Sequence, residues 1–259
     1  MKVNTFLKYL SQPRLNKFIH HFPSDYNKAL LLYRSNVRLS QAFYPLLSIL
    51  EVSVRNALDI QLSAHFHDPE WLLHQTAGTF NDPELGRSRY PYRLRNAIQK
   101  VHRHLGAEYT PGKLIAELTF GIWTDFFDRT HYRLLAGEPI KIFPRLPKTV
   151  KRANIYDRLN SIRYFRNRIY HYEPICFKNG SFDLSETKKV YTEIKELLSW
   201  FDADLLKYVE DIDYIEYEIE RTNNLALRRN IFYGVSLLLL KARFVLRKIY
   251  LSITGEDIF

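Results

Sequence analysis

The sequence predicts an all-α protein, a bundle of amphipathic helices, and three observations carry that prediction. Apolar residues recur at intervals of three and four in almost every patterned stretch, the period of one helical face. No run alternates apolar and polar residues over a useful strand length. Glycine and proline number only 9 and 11 among 259 residues, which rules out collagen-like and low-complexity chains. With 46% hydrophobic residues the chain can bury a sizeable core. Its one cysteine, Cys176, excludes a disulfide framework and a cysteine-based zinc cluster.

Taken in order, Pro13 to Phe22 reads as a short amphipathic helix stopped by Pro23. Ser24 and Asp25 can cap a second helix that runs to Phe43, and Pro45 kinks or divides the helical pattern there. From Leu46 to His65 the buried face is Leu47, Leu50, Val54 and Leu58, with Glu51 within about 40° of its centre. Phe66 to Pro91 is mostly loop. Arg87 to His104 holds six Lys/Arg and no acid, with Tyr90 and Tyr92 interleaved. Thr110 and Pro111 form a good N-cap and first-turn pair for a helix through Lys113–Phe127. Within it Gly121 beside Trp123 predicts close packing and a core tryptophan. Gly137 to Pro147 is a proline-punctuated connection. Ser185 to Tyr208 is another amphipathic helix, and Asp202 to Glu220 sets eight acids against Lys207. These acids form either a solvated face or a mask for basic surface. We divide the chain into a helical domain, 1–220, and a basic, apolar extension, 221–259. The apolar run Ile231 to Leu240 is too short to span a membrane. With the adjoining Lys241, Arg243, Arg247 and Lys248 it suits packing on the same domain, on a partner chain, or on an anionic membrane surface.

The most informative stretch is Asn154 to Pro174, a helix expected to end near Tyr172, ahead of Pro174. Ile155, Leu159, Ile162 and Ile169 mark its apolar face, and Arg166 falls inside that face. A guanidinium there needs a partner, because an unpaired buried charge is very costly. Glu51 is the matching misfit, so the two are expected to pair, directly or through Arg55; the alternative is that both side chains snorkel to the core edge. His171 sits in the last turn, where the helix dipole favours the imidazolium, and Asn167 lies one turn before it.

The run Arg166-Asn167-Arg168-Ile169-Tyr170-His171 resembles the R-x4-6-H motif of the HEPN superfamily. The longer RNRIYHYEPI, with LEVSVRNALD at Leu50–Asp59 and LTFGIWTDFF at Leu118–Phe127, is similar to the Abi-like (abortive infection) branch. Tyr172 stands where many relatives carry a second histidine. The resemblance implies a HEPN-like helical bundle with additional helices. It also implies a homodimeric ribonuclease whose motifs face each other across a two-fold cleft, leaving 2′,3′-cyclic phosphate ends. Its biological setting would be phage defence or a toxin, with an antitoxin or phage trigger as a further partner.

The residues suit that chemistry. An imidazole can take the ribose 2′-OH proton or protonate the leaving 5′-oxygen, and a fixed guanidinium can hold the phosphate and its developing charge. We therefore nominate Arg166, Asn167 and His171 as catalytic, with Glu51, Arg55, Asn56 and Tyr172 in support. One histidine gives one proton-transfer group per chain, which favours a site built from two copies. Arg163, Arg168, Arg93, Arg95 and Lys100 are nominated as RNA contacts, since cations interleaved with aromatics suit phosphates and unstacked bases; the alternative is a solvated basic helix face. The net charge of +10 fits a polyanionic partner: RNA, DNA or an acidic membrane. No Gly-rich phosphate loop and no HExxH are present. His65 with His67 and His102 with His104 have a spacing that points helical rings apart, so no metal and no cofactor are expected. The first 17 residues lack a signal-peptide core, and a cytoplasmic location is expected. The rival readings are a non-catalytic RNA-binding module and a helical interaction protein of the same fold.

Overall fold

In the computed structural model, residues 3–227 are described, and they are mostly helical. The α-helices are α1 (Val3–Leu10), α2 (Gln12–His21), α3 (Tyr26–Ala42), α4 (Tyr44–Phe66), α5 (Trp71–His74), α6 (Arg93–Leu105) and α7 (Pro111–Glu117). They continue as α8 (Phe120–Asp125), α9 (Arg129–Leu134), α10 (Arg152–Tyr170), α11 (Ser185–Phe201), α12 (Ala203–Glu210) and α13 (Ile215–Ala226). Among the described residues no helix is long and apolar enough to cross a membrane. The chain divides into two compact units. The first comprises residues 3–46, 167–192 and 207–227; the second comprises 47–166 and 193–206.

In the first unit, α3 packs on α2 and α13. The Asp25 side chain caps α3 by accepting from the Lys28 N–H at 3.0 Å. The core centres on Phe18, Leu32, Leu39, Val190 and Ile215, each fully buried. Phe18 meets Tyr33 and Phe177 edge to face, at 5.3 and 5.2 Å between centroids. Buried polar groups are paired: Ser35 with Thr222 at 2.8 Å, and the Ile175 N–H donates to Asn36 Oδ1 at 2.9 Å. A hairpin that the sequence pattern does not predict joins β1 (Phe177–Lys178) to β2 (Ser181–Phe182). Its turn is Asn179-Gly180, both at positive φ, the pair a two-residue turn of this kind favours. Each strand is two residues long, too short for an alternating period to register.

In the second unit the expected face of α4 is buried: Leu47, Leu50, Val54 and Leu58, extended by Leu62. An aromatic cluster of Trp71, Phe80, Trp123 and Phe126 fills the centre, and Trp71 Nε1 donates to Asp59 at 2.8 Å. The single helix expected over Lys113–Phe127 is two helices, α7 and α8. Leu118 and Thr119 are extended, and only Leu118 of the two is buried. Thr110 caps α7 as expected, accepting from the Lys113 N–H. The helix expected from Ser185 to Tyr208 also divides, between Phe201 and Ala203, where Asp202 Oδ1 accepts from the Asp204 N–H. The 66–91 segment holds a helical turn at α5 and two 3-10 turns. The boundary expected after residue 220 falls inside α13, and the tail from 228 to 259, with its basic amphipathic pattern, lies outside the described residues.

Candidate functional site: a basic helix and its C-terminus

Helix α10 carries four of the twelve nominated residues, Arg163, Arg166, Asn167 and Arg168, and His171 and Tyr172 follow directly on its end. Its buried face is Ile155, Leu159, Ile162 and Phe165, while Ile169 is half-buried. The face therefore runs through Phe165, and Arg166 sits at its edge. There Arg166 Nη2 lies 3.3 Å from Glu51 Oε2 on α4, with the two side chains 24% and 22% exposed. Pairing and edge position, alternatives in the sequence, occur together. Among the described residues Arg55 is not the bridge: its guanidinium makes long contacts to Asn56 Oδ1 (3.4 Å) and the Ala116 carbonyl (3.5 Å). Asn56 is exposed.

The chain re-enters the first unit at Asn167, and the end of α10 is closed by backbone bonds. The His171 N–H donates to the Asn167 carbonyl (2.9 Å), that of Tyr172 to Ile169 (3.0 Å), and that of Glu173 to Arg168 (2.8 Å). This is a Schellman closure with His171 as C-cap and Tyr172 at the left-handed position, φ 58°. Glycine normally occupies that position; a side chain there costs on the order of 1 kcal/mol. His171 is exposed, Asn167 is half-buried, and the Tyr172 ring is 75% exposed with the Arg14 guanidinium 5.7 Å from its centroid. Arg168 is committed locally: it bonds Glu186 at 2.6 Å and the carbonyls of Pro174 and Phe177. Those bonds tie the helix end to the hairpin and to α11.

The other cations nominated for RNA are on the second unit. Arg93 Nη1 contacts both oxygens of Asp125, at 2.9 and 2.8 Å, and Arg163 Nη1 is 3.7 Å from Oδ1 of the same carboxylate. Arg163 also donates to the Tyr164 hydroxyl at 3.2 Å. Asp125 is buried. Burial pushes its carboxyl above the ordinary range, an effect that the two guanidiniums only partly offset. Gly121 lies against both side chains: a Cβ there would stand 3.1 Å from Arg93 Nη2, a tight contact, and 3.4 Å from the Arg163 side chain. Arg95 stacks on Tyr92, 3.9 Å from its centroid, and bonds Asn81. Lys100 is exposed.

Asp125 is not among the residues that the sequence nominates. The available signal was a lone acid inside the otherwise apolar run Phe120–Phe127. Three residues on, Asp128 caps α9 and holds the His131 ring nitrogen at 2.9 Å. Burial opposes its ionisation, but bonds from the His131 ring and from the His131 and Thr130 N–H groups prevail and hold it below the usual value. Among the described residues no three His, Cys, Asp or Glu side chains group as a metal site. Comparison with family models, with curated proteins and with solved structures finds no match.

Proposed function

We propose that the chain is a metal-independent endoribonuclease of the HEPN, Abi-like type, acting as a homodimer in phage defence or as a toxin. The observation that carries this reading is the end of α10, where an anchored guanidinium, an amide and a solvent-exposed imidazole follow one another within six residues. In the proposed reaction His171 takes the 2′-OH proton, the 2′-oxygen attacks the adjacent phosphorus, and the 5′-oxygen leaves with a proton from the second copy of His171. Arg166, held by Glu51, stabilises the charge on the phosphorane-like transition state, and Asn167 orients a phosphate oxygen. The products are a 2′,3′-cyclic phosphate and a 5′-hydroxyl.

Incubation of the chain with an RNA panel in EDTA tests this. The expected result is cleavage with cyclic phosphate ends, reduced at least about 100-fold by His171→Ala and by Arg166→Ala. Undiminished cleavage by both variants removes the assigned roles, and a requirement for added Mg²⁺ removes the mechanism. One observation favours a second reading, a non-catalytic RNA-binding or helical interaction protein: Arg166 already has a carboxylate partner in Glu51. That reading expects Arg166→Ala to lower the melting temperature with no RNA products from the parent chain.

A further inference from the structure

The Arg93, Asp125 and Arg163 cluster has a charge imbalance that folding alone does not require. A single arginine would neutralise the buried Asp125. Instead two guanidiniums approach one carboxylate, Arg93 at 2.8 Å and Arg163 at 3.7 Å, with Gly121 against both. Burying like charges side by side is unfavourable; the charge of Asp128 also acts on Asp125, but Asp128 is engaged by the His131 ring, so the second cation has capacity for a further anion. The cluster is not sealed: the Arg93 side chain is 39% exposed, while that of Arg163 is 14% exposed. The outer anion can therefore come from solution.

The surroundings say what kind of anion. Tyr164 follows Arg163 directly; the residue is 61% exposed and its ring centroid is 4.9 Å from that guanidinium. Tyr90, three residues before Arg93, is also 61% exposed, with Arg89 5.4 Å from its centroid. The exposed Tyr164 ring against Arg163 offers stacking as well as charge, and Tyr90 supplies a second exposed ring three residues from Arg93 in the chain. Lys100, seven residues after Arg93 on α6, extends the same helical stripe with another exposed cation. An inorganic anion or a duplex backbone would use the charge and leave the rings idle. A phosphate carrying an unstacked base would use both.

We propose that the Arg93–Asp125–Arg163 cluster binds one nucleotide unit of single-stranded RNA, its phosphate on the paired guanidiniums and its base on Tyr164 or Tyr90. The proposal rests on RNA being the ligand, as proposed above, and not on cleavage. Asp125 holds the two arginines in place and limits their net charge to one, so it weakens the site it organises.

The test uses the full chain with His171→Ala as background, so that the probe survives, and a fluorescently labelled single-stranded 12-mer RNA. The expected result is that Tyr164→Ala or Tyr90→Ala weakens binding about 5- to 150-fold, the range of one lost base stack. Both side chains are exposed, so these variants keep the fold. Arg163→Gln should weaken binding and lower the slope of log affinity against log salt by about 0.7, one phosphate contact on a single strand. Asp125→Asn should do the opposite, tightening binding and steepening that slope. A blunt RNA duplex of the same length should bind more weakly and be indifferent to the tyrosine substitutions. Adenosine monophosphate competing where inorganic phosphate and adenosine do not would show that one free nucleotide fills the site; competition by a longer strand alone would show that the polymer is needed. Unchanged affinity in both tyrosine variants, or duplex bound as tightly as single strand, overturns the proposal. Tyrosine-dependent binding by a parent chain that cleaves nothing would leave this inference standing and remove the nuclease reading. Cleavage by a chain whose tyrosine and arginine variants bind unchanged would do the reverse.

Discussion

Arg163 and Arg168 lie five residues apart on α10 and have opposite fates. Arg168 is used up by the structure: Glu186 and two carbonyls accept from its Nη groups, and Glu173 lies 3.9 Å from its Nε. Arg163 shares a single carboxylate with Arg93 and otherwise reaches a half-wet tyrosine. In the sequence both are basic residues in a run of eight Lys/Arg against one acid. The difference teaches that a basic stretch mixes cations that fasten the chain with cations that have capacity left for a ligand. Counting acceptors around each guanidinium tells them apart.

Arg168→Ala would break this contrast most severely. It leaves Glu186 and two carbonyls without their donor, and should cost about 2–4 kcal/mol, read as a lower midpoint in denaturant. Because Arg93 still pairs with Asp125, Arg163→Ala should cost only about 1 kcal/mol in the same melt and show its larger effect in affinity for the proposed RNA ligand. If the two variants melt alike, the division between fastening and spare cations fails. Glu51→Gln, which keeps the volume but removes the charge opposite Arg166, should fall between them at about 1–2 kcal/mol. The strained helix end sharpens the comparison from the other side. Tyr172→Gly should raise stability by about 1 kcal/mol by relieving the left-handed residue, in a differential scan against the parent chain. A loss of stability would mean that the Arg14 contact outweighs the backbone strain.

The smallest effect is electrostatic and concerns two carboxylates three residues apart. Asp125 is raised, so its protonation favours the folded state as pH falls through its folded value. Asp128 is lowered, so it stabilises the fold above the ordinary carboxylate range and loses that contribution as pH falls through its folded value. Carboxyl ¹³C shifts should therefore titrate with the Asp125 midpoint above that of Asp128. The reverse order would mean that the arginines, not burial, dominate at Asp125.

Much of the fold is legible in the sequence. Leu47, Leu50, Val54 and Leu58 are spaced so that only a helix puts them together, and they are buried as a set. Glu51 and Arg166 each interrupt an apolar stripe, and two misfits of opposite sign call for each other across a long stretch of chain. The features that are not legible have local physical causes. The break between α7 and α8 comes from extended backbone at Leu118 and Thr119, which apolar spacing does not register. The Asn179-Gly180 hairpin is too short for any period to appear. Asp125 is hidden because its partners come from separate segments, and Arg168 looks available because its acceptors, two backbone carbonyls and Glu186, have no signature in a charge count.

Exposed helix ends ordinarily fray, opening and closing many times before a typical reaction is complete. The end of α10 is stitched by three backbone bonds in succession, so the amides of His171, Tyr172 and Glu173 should exchange slowly with solvent deuterium although their side chains stand in water. An imidazole mounted this way is presented from a hydrogen-bonded backbone. It reaches solvent without the entropy of a loose terminus and without the desolvation of a buried one.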